Sequence, residues 1–327
     1  MESELNILVL SCGTRNKVVQ YFKKQLNNKG KVIATDCSRL APALYEADQY
    51  FIVPRIDEKN YLDTILSICK ENDVKAVLSL IDPELTLLAE NKEKFYEIGV
   101  TPIVSKLETV EMCFDKYKMY EFLLENNFPI IKSYVDKNDF FEDQKTNKID
   151  YPVFVKPVRG SASLNINKVS TRQEIELLYK QDSNLMIQEF MNGTEYGVDA
   201  YIDMLSGEVV SIFIKEKITM RAGETDKSVS IKNDKIFELV KQFIEKLEFR
   251  GVIDIDIFEV NGEYYISEVN PRFGGGYPHA FESGVNFIGM IIKNLEGLQN
   301  SNTVAQYNEG IYMMKYNEVY IKNAFNE

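Results

Sequence analysis

The chain has 327 residues, 45% of them hydrophobic and 27% charged, which is long enough for two or three compact units with cores of their own. Its net charge of -12 and pI near 4.9 argue against nucleic acid or an anionic membrane as the main partner, since either calls for a basic footprint. The single histidine, His279, rules out multi-histidine metal sites, and the scattered Cys12, Cys37, Cys69 and Cys113 have no CxxC spacing that would indicate zinc or a disulfide framework. The cysteines read as reduced and structural in a cytoplasmic protein. The acidic start MESEL resembles no signal peptide, and no apolar run approaches membrane-spanning length.

Through the first hundred residues, short apolar strands alternate with helical stretches: NILVL at 6–10, a helix over 18–28, KVIAT at 31–35, a helix over 61–72, AVLSL at 76–80 and a helix over 84–98. This alternation predicts a parallel α/β sheet. The loop SCGTR at 11–15 follows the first strand and opens a helix, a place where phosphate can bind. With one glycine it lacks the GxGxxG fingerprint, so a tight turn is the favoured reading and a nicotinamide-dependent oxidoreductase is disfavoured.

A second section begins near Thr109, where Asp115 and Lys116 open a helix over 117–127. The Lys- and Asn-rich stretch 136–148 reads as a surface loop. YPVFVKP at 151–157 is a strand ending at Lys156, followed by the small loop VRGSAS at 158–163. A third section contains the strands LMIQEF at 185–190 and EYGVDAY at 195–201.

Further on, Asp254 and Asp256 lead through Asn261 and Gly262 to Glu268, Asn270 and Arg272. Residues two apart share one face of a strand, so this hairpin can present several oxygen ligands together, and hard oxygens suit Mg²⁺. The geometry makes a demand. A strict two-residue loop at Asn261 and Gly262 sets Asp256 opposite Ser267 and turns Glu268 to the other face. A type I turn with Gly262 left-handed and a bulge beside it is therefore expected. The alternative, an ordinary solvated acidic face, is less favoured because Ile253, Ile255 and Ile257 already supply one apolar face while carboxylates fill the other.

A lysine at a strand end beside a Gly/Ser loop offers a cation and backbone N–H groups to phosphate oxygens, although the spacing is not that of the Walker motif. Taken in order, Asp115-Lys116, Lys156 with Gly160-Ser161, Gln188-Glu189-Phe190, Glu195, and Asp256 with Glu268, Asn270 and Arg272 resemble the ATP-grasp superfamily. The likeness is to carboxylate-amine ligases similar to biotin carboxylase and to one half of the carbamoyl phosphate synthetase large chain. It implies an N-terminal parallel α/β (pre-ATP-grasp) domain over 1–108. An ATP-grasp fold of two α+β subdomains follows, over 109–187 and 188–327.

The resemblance also implies roles. Lys116 and Lys156 contact ATP phosphates under a mobile loop containing Gly160, Ser161 and Ser163, and closure of such a lid protects a reactive intermediate from water. Glu189 and Phe190 lie in the hinge that meets adenine, and Glu195 receives the ribose hydroxyls. Asp256, Glu268 and Asn270 hold Mg²⁺, with Mn²⁺ also accommodated, and Asp254 remains an alternative to Asp256. Arg221 and Arg272 supply positive charge to the transferring phosphoryl group. Lys215 and Lys217 would add to that charge, with a solvated charge run as the competing reading for these two. The glycines at 274–276 either receive an anion or form a flexible connection, and His279 reads as a structural hydrogen-bonding residue.

The implied activity is an ATP- and Mg²⁺-dependent ligase that joins a small carboxylate, an amino acid or metabolite, to an amine through an acyl phosphate. Alternatives are carbamoyl phosphate synthetase-like phosphorylation of bicarbonate or carbamate, and a non-catalytic ATP-binding module. Expected partners are small molecules, neither nucleic acid nor membrane, and a homo-oligomer is compatible with the sequence.

Overall fold

The computed structural model describes residues 4–160 and 166–323. The N-terminal domain contains β1 (Asn6–Leu10), α1 (Asn16–Leu26), β2 (Val32–Asp36), β3 (Gln49–Ile52), α2 (Tyr61–Glu71), β4 (Val74–Ser79), α3 (Asp82–Glu90), α4 (Lys92–Tyr96) and β5 (Thr101–Pro102). Its strands form a parallel sheet in the order β3-β2-β1-β4-β5. Every residue of β1 is buried, as expected of a central parallel strand covered on both faces. The stretch expected as one helix over 84–98 is divided into α3 and α4, meeting at Asn91.

The next unit contains α5 (Leu107–Phe114), α6 (Lys116–Glu125), β6 (Ser133–Tyr134), α7 (Lys137–Lys145), β7 (Val153–Pro157), β8 (Asn167–Val169), α8 (Arg172–Gln181) and β9 (Leu185–Glu189). Its sheet order is β6-β9-β7-β8. Asp115 caps α6 by accepting from the Tyr117 and Lys118 N–H groups, which satisfies two donors a helix start leaves open. The surface loop expected over 136–148 is instead largely helix. Asp136 caps α7, and Phe140 and Phe141 are buried in this unit's own core. Two adjacent aromatics outweighed the polar composition around them.

The third unit contains β10 (Thr194–Ile202), β11 (Val209–Arg221), β12 (Glu224–Ile231), α9 (Asp234–Glu245), β13 (Gly251–Val260), β14 (Glu263–Asn270), α10 (Tyr277–Glu282), α11 (Phe287–Leu295) and β15 (Tyr312–Met314). Its antiparallel sheet runs β14-β13-β10-β11-β12-β15. The sheets change over between Glu189 and Thr194, and position 109 falls inside α5.

One hydrophobic core runs from α1 and one face of the parallel sheet into the six-stranded sheet, α9, α10 and α11. At this junction Tyr21 stacks on Phe281 with ring centroids 3.7 Å apart and donates from its hydroxyl to Glu282 at 2.8 Å. The four-stranded unit has a separate core. No helix among the described residues is long and apolar enough to cross a membrane.

Candidate active site

A cavity of about 370 Å³ lies where the three units meet. β7 and β9 bring Lys156, Gln188 and Glu189 to it, while the face of β13 and β14 opposite the buried isoleucines brings Asp254, Asp256, Glu268 and Asn270.

Register explains why these four share a face. Val260 pairs with Glu263, so the β13–β14 loop is a two-residue turn, with φ of 54° at Asn261 and 82° at Gly262. Two positive φ values define a type I′ turn, which Asn-Gly favours. The odd loop expected at Gly262 is therefore absent. Parity is restored farther along, where Ile257 pairs with Ile266 but Asp256 pairs with Glu268 and Asp254 with Asn270. Ser267 is the extra residue, and the bulge there turns Glu268 onto the face of Asp256.

Lys156 is buried, and its ammonium donates to Gln188 Oε1 at 2.7 Å; Gln188 in turn donates to Ser133 at 3.1 Å. Burial pulls the Lys156 pKa down to about 8, against the attraction of Glu268 and with the repulsion of Lys116. Lys116 donates to the Gly160 carbonyl and does not line the cavity. Ser161 and Ser163 lie outside the described residues. Glu189 lines the cavity, whereas Phe190 packs behind it, 5.4 Å from the lining residue Phe154 and beneath the Lys168 ammonium.

Lys215 and Lys217 are not a solvated run. Lys217 is 5% exposed and bridges Glu195 at 2.7 Å and Asp256 at 2.5 Å. Burial alone disfavours its charge, but Asp256, Glu195 and Asp254 together raise its pKa. Lys215 is buried against Asp199. The one signal in the sequence that could have marked them is their spacing, since two residues two apart share one strand face. Burial raises the carboxyl pKa of Asp256, with Lys217 opposing, and also that of Asp254. Asp256 is 21% exposed, to the cavity rather than to bulk water.

Arg272 lines the cavity and pairs with Asp82 at 2.9 Å. Arg221 does not line it. Its guanidinium lies 2.7 Å from Asp226 and 3.3 Å from Asn317, and it is half exposed at the β11–β12 tip. The glycines after Arg272 are tightly packed: a Cβ at Gly274 would lie 2.3 Å from Asp254 Oδ1, and one at Gly276 would lie 2.4 Å from Lys215 Cε. A flexible connection is therefore not what they form. His279 is buried away from the cavity, with Nε2 donating to the Ile311 carbonyl at 2.9 Å and Nδ1 accepting from Ser228 at 2.8 Å. Arg15, the last residue of the SCGTR loop expected as a tight turn, and Asp82, just beyond β4, also line the cavity; Asp82 carried no motif.

The oxygen donors fit a hard cation. Glu268 takes no hydrogen-bond or ion-pair partner among the described residues, and Asp256 and Asn270 lie on its face. No group of three or more acidic, His or Cys side chains among the described residues forms a metal cage by itself. Mg²⁺ takes one or two carboxylates and keeps water and phosphate among its other ligands, so the Asp256, Glu268 and Asn270 oxygens are a donor set of the right kind.

Residues 113–276 match the family described as "ATP-grasp domain", about half of the chain, and the protein belongs to that ligase-rich family. Residues 7–103, the parallel-sheet domain, match the family described as "PylC-like, N-terminal domain". The chain is 22% identical over 311 residues to the carbamoyl phosphate synthase large chain of Clostridium acetobutylicum, covering 90% of this chain and 27% of that one. It thus spans about a quarter of that relative's length. Against the D-aspartate ligase of Enterococcus faecium it is 22% identical over 304 residues, covering 81% of this chain and 71% of the relative. The biotin carboxylase domain of Hydrogenobacter thermophilus 2-oxoglutarate carboxylase, a dimer solved with MgADP, ADP and bicarbonate, superposes with a TM-score of 0.75 at 16% identity. That match covers 94% of this chain and 73% of that chain. The structural likeness is one of fold.

Proposed function

We propose that the protein is an ATP- and Mg²⁺-dependent ligase that joins a small carboxylate, an amino acid or similar metabolite, to an amine. The observation that carries this reading is the opposition, across one cavity, of Lys156 on the four-stranded sheet and Asp256, Glu268 and Asn270 on the six-stranded sheet. Membership of the ATP-grasp family supports it, and so does similarity to a relative named D-aspartate ligase.

In this reading Lys156, which lines the cavity, holds the nucleotide phosphates. Glu189 and Phe190 border the adenine end, and Glu195 faces the ribose. Asp256, Glu268 and Asn270 hold Mg²⁺, which neutralises phosphate charge. A substrate carboxylate oxygen attacks the γ-phosphorus, the bond to the β-γ bridging oxygen breaks, and ADP leaves. An amine then attacks the acyl carbon and loses a proton, and inorganic phosphate departs. Arg272 and Lys217 supply fixed positive charge where charge accumulates, and positioning with electrostatics carries most of such a reaction. No side chain needs to act as a covalent nucleophile.

The test measures ADP and phosphate release with Mg²⁺-ATP alone, with bicarbonate, and with pairs of amino acids, and analyses products by mass. The reading predicts release that depends on a pair and a condensed product. Release driven by bicarbonate alone, or nucleotide binding without turnover under every condition, contradicts it.

A further inference from the structure

Of the ion pairs that join the N-terminal domain to the six-stranded unit, two line the cavity, and they run in opposite senses. Arg15, in the loop after β1, meets Glu224, the first residue of β12, at 2.5 Å. Asp82, the first residue of α3, meets Arg272, just beyond β14, at 2.9 Å. Each side contributes one cation and one anion, and all four line the cavity.

The N-terminal contributions come from a telling place. In the order β3-β2-β1-β4-β5, the chain leaves β1 toward β2 and leaves β4 toward β5, so the connections diverge between β1 and β4. Arg15 follows β1 and Asp82 follows β4. The crevice beyond the C-terminal ends of two such strands is where open parallel sheets collect ligands.

Two further features indicate a ligand there. The Arg272 side chain is nine-tenths buried; its Nη atoms reach Asp82 and the Phe273 carbonyl, but its buried Nε has no partner. Gly275 also lines this end, where a Cβ would lie 2.6 Å from Arg15 Nη1 and 2.8 Å from the Glu224 carboxylate, so the backbone passes without a side chain to occupy the space. Glu224 has a second cation, Lys315, at 2.8 Å, and so stays paired when Arg15 engages something else.

A plain anion here meets two carboxylates, and a plain cation meets two guanidiniums. Alternating charges at fixed positions complement a molecule that carries both signs. We propose that this end of the cavity seats an α-amino acid, with its carboxylate on Arg15 and its ammonium on Glu224. The proposal deepens the ligase reading, on which it rests for what the amino acid does. Its seat depends only on the four charges.

Calorimetric titration of the full chain, with and without MgADP, tests it against the common L-amino acids and their D-enantiomers. The tightest binder is then compared with its decarboxylated amine and its deaminated acid. The proposal expects the intact amino acid to bind at least about tenfold more tightly than either fragment. Arg15→Gln is expected to weaken the amino acid about tenfold and the decarboxylated amine less than about twofold, and Glu224→Gln to do the converse with the deaminated acid. Arg15→Lys, which keeps the cross-domain charge, is expected to retain part of the affinity. Absence of amino acid binding, or equal weakening of amine and amino acid by Arg15→Gln, overturns the proposal. MgADP failing to bind wild-type protein that still binds the amino acid removes the ligase reading and leaves this one standing.

Discussion

Asp256 and Glu268 face each other across the β13–β14 ladder because Ser267 is bulged out of it. The Asn261-Gly262 turn on its own would set Glu268 on the isoleucine side, so the placement of one carboxylate depends on a residue five positions beyond the turn. Lys217 then ties Asp256 to Glu195 on β10. The acidic face is thereby held together by one buried cation.

Removing that cation is expected to be costly. Lys217→Met leaves Asp256 and Glu195 without their ion-pair partner, and breaking a buried pair by deleting one member destabilises by roughly 3 kcal/mol or more. Urea unfolding monitored by circular dichroism checks this; a change below about 0.5 kcal/mol would place the pair among solvent-screened contacts.

Gly274 supports the same face from behind. Gly274→Ala puts a Cβ against the Asp254 carboxylate, and the neighbours cannot yield freely in a packed turn. A loss of about 1–3 kcal/mol is expected, together with reduced turnover. A variant as stable and active as wild type would show that Asp254 moves aside without consequence.

His279 makes stability depend on pH. Burial, aided by repulsion from Lys215, lowers its pKa to about 4 from an ordinary 6.5. Between those values the unfolded chain binds a proton that the folded chain does not. Stability from this group is therefore complete above about 6.5 and is lost as pH falls toward 4, by roughly 3 kcal/mol. Denaturation midpoints of wild type and His279→Gln across pH 4 to 7 give the readout. The variant is expected to show the smaller slope, and parallel slopes would refute the assignment.

Much of the architecture was legible, because hydrophobic periodicity and element order are local signals. The strands β1, β4, β7 and β9 and the N-terminal parallel sheet could be read from apolar runs, and the order of Lys116, Lys156, Glu189, Glu195, Asp256 and Glu268 pointed to the fold. What escaped depends on partners distant in sequence. Lys215 and Lys217 look solvated until Asp199 and Asp256 are seen on adjoining strands. Arg15 and Asp82 face Glu224 and Arg272 across a domain boundary that no spacing encodes. The Ser267 bulge was anticipated in kind but misplaced, since parity demands a bulge without saying where.

The central claim is that the two sheets clamp a magnesium nucleotide between Lys156 and the Asp256–Glu268 face. Its most direct test is the affinity of wild type and Glu268→Gln for ADP, titrated with Mg²⁺ and with EDTA. The account predicts that wild type binds at least about tenfold more tightly with Mg²⁺ and that Glu268→Gln loses this difference while keeping its fold. Equal Mg²⁺ enhancement in both proteins would contradict it.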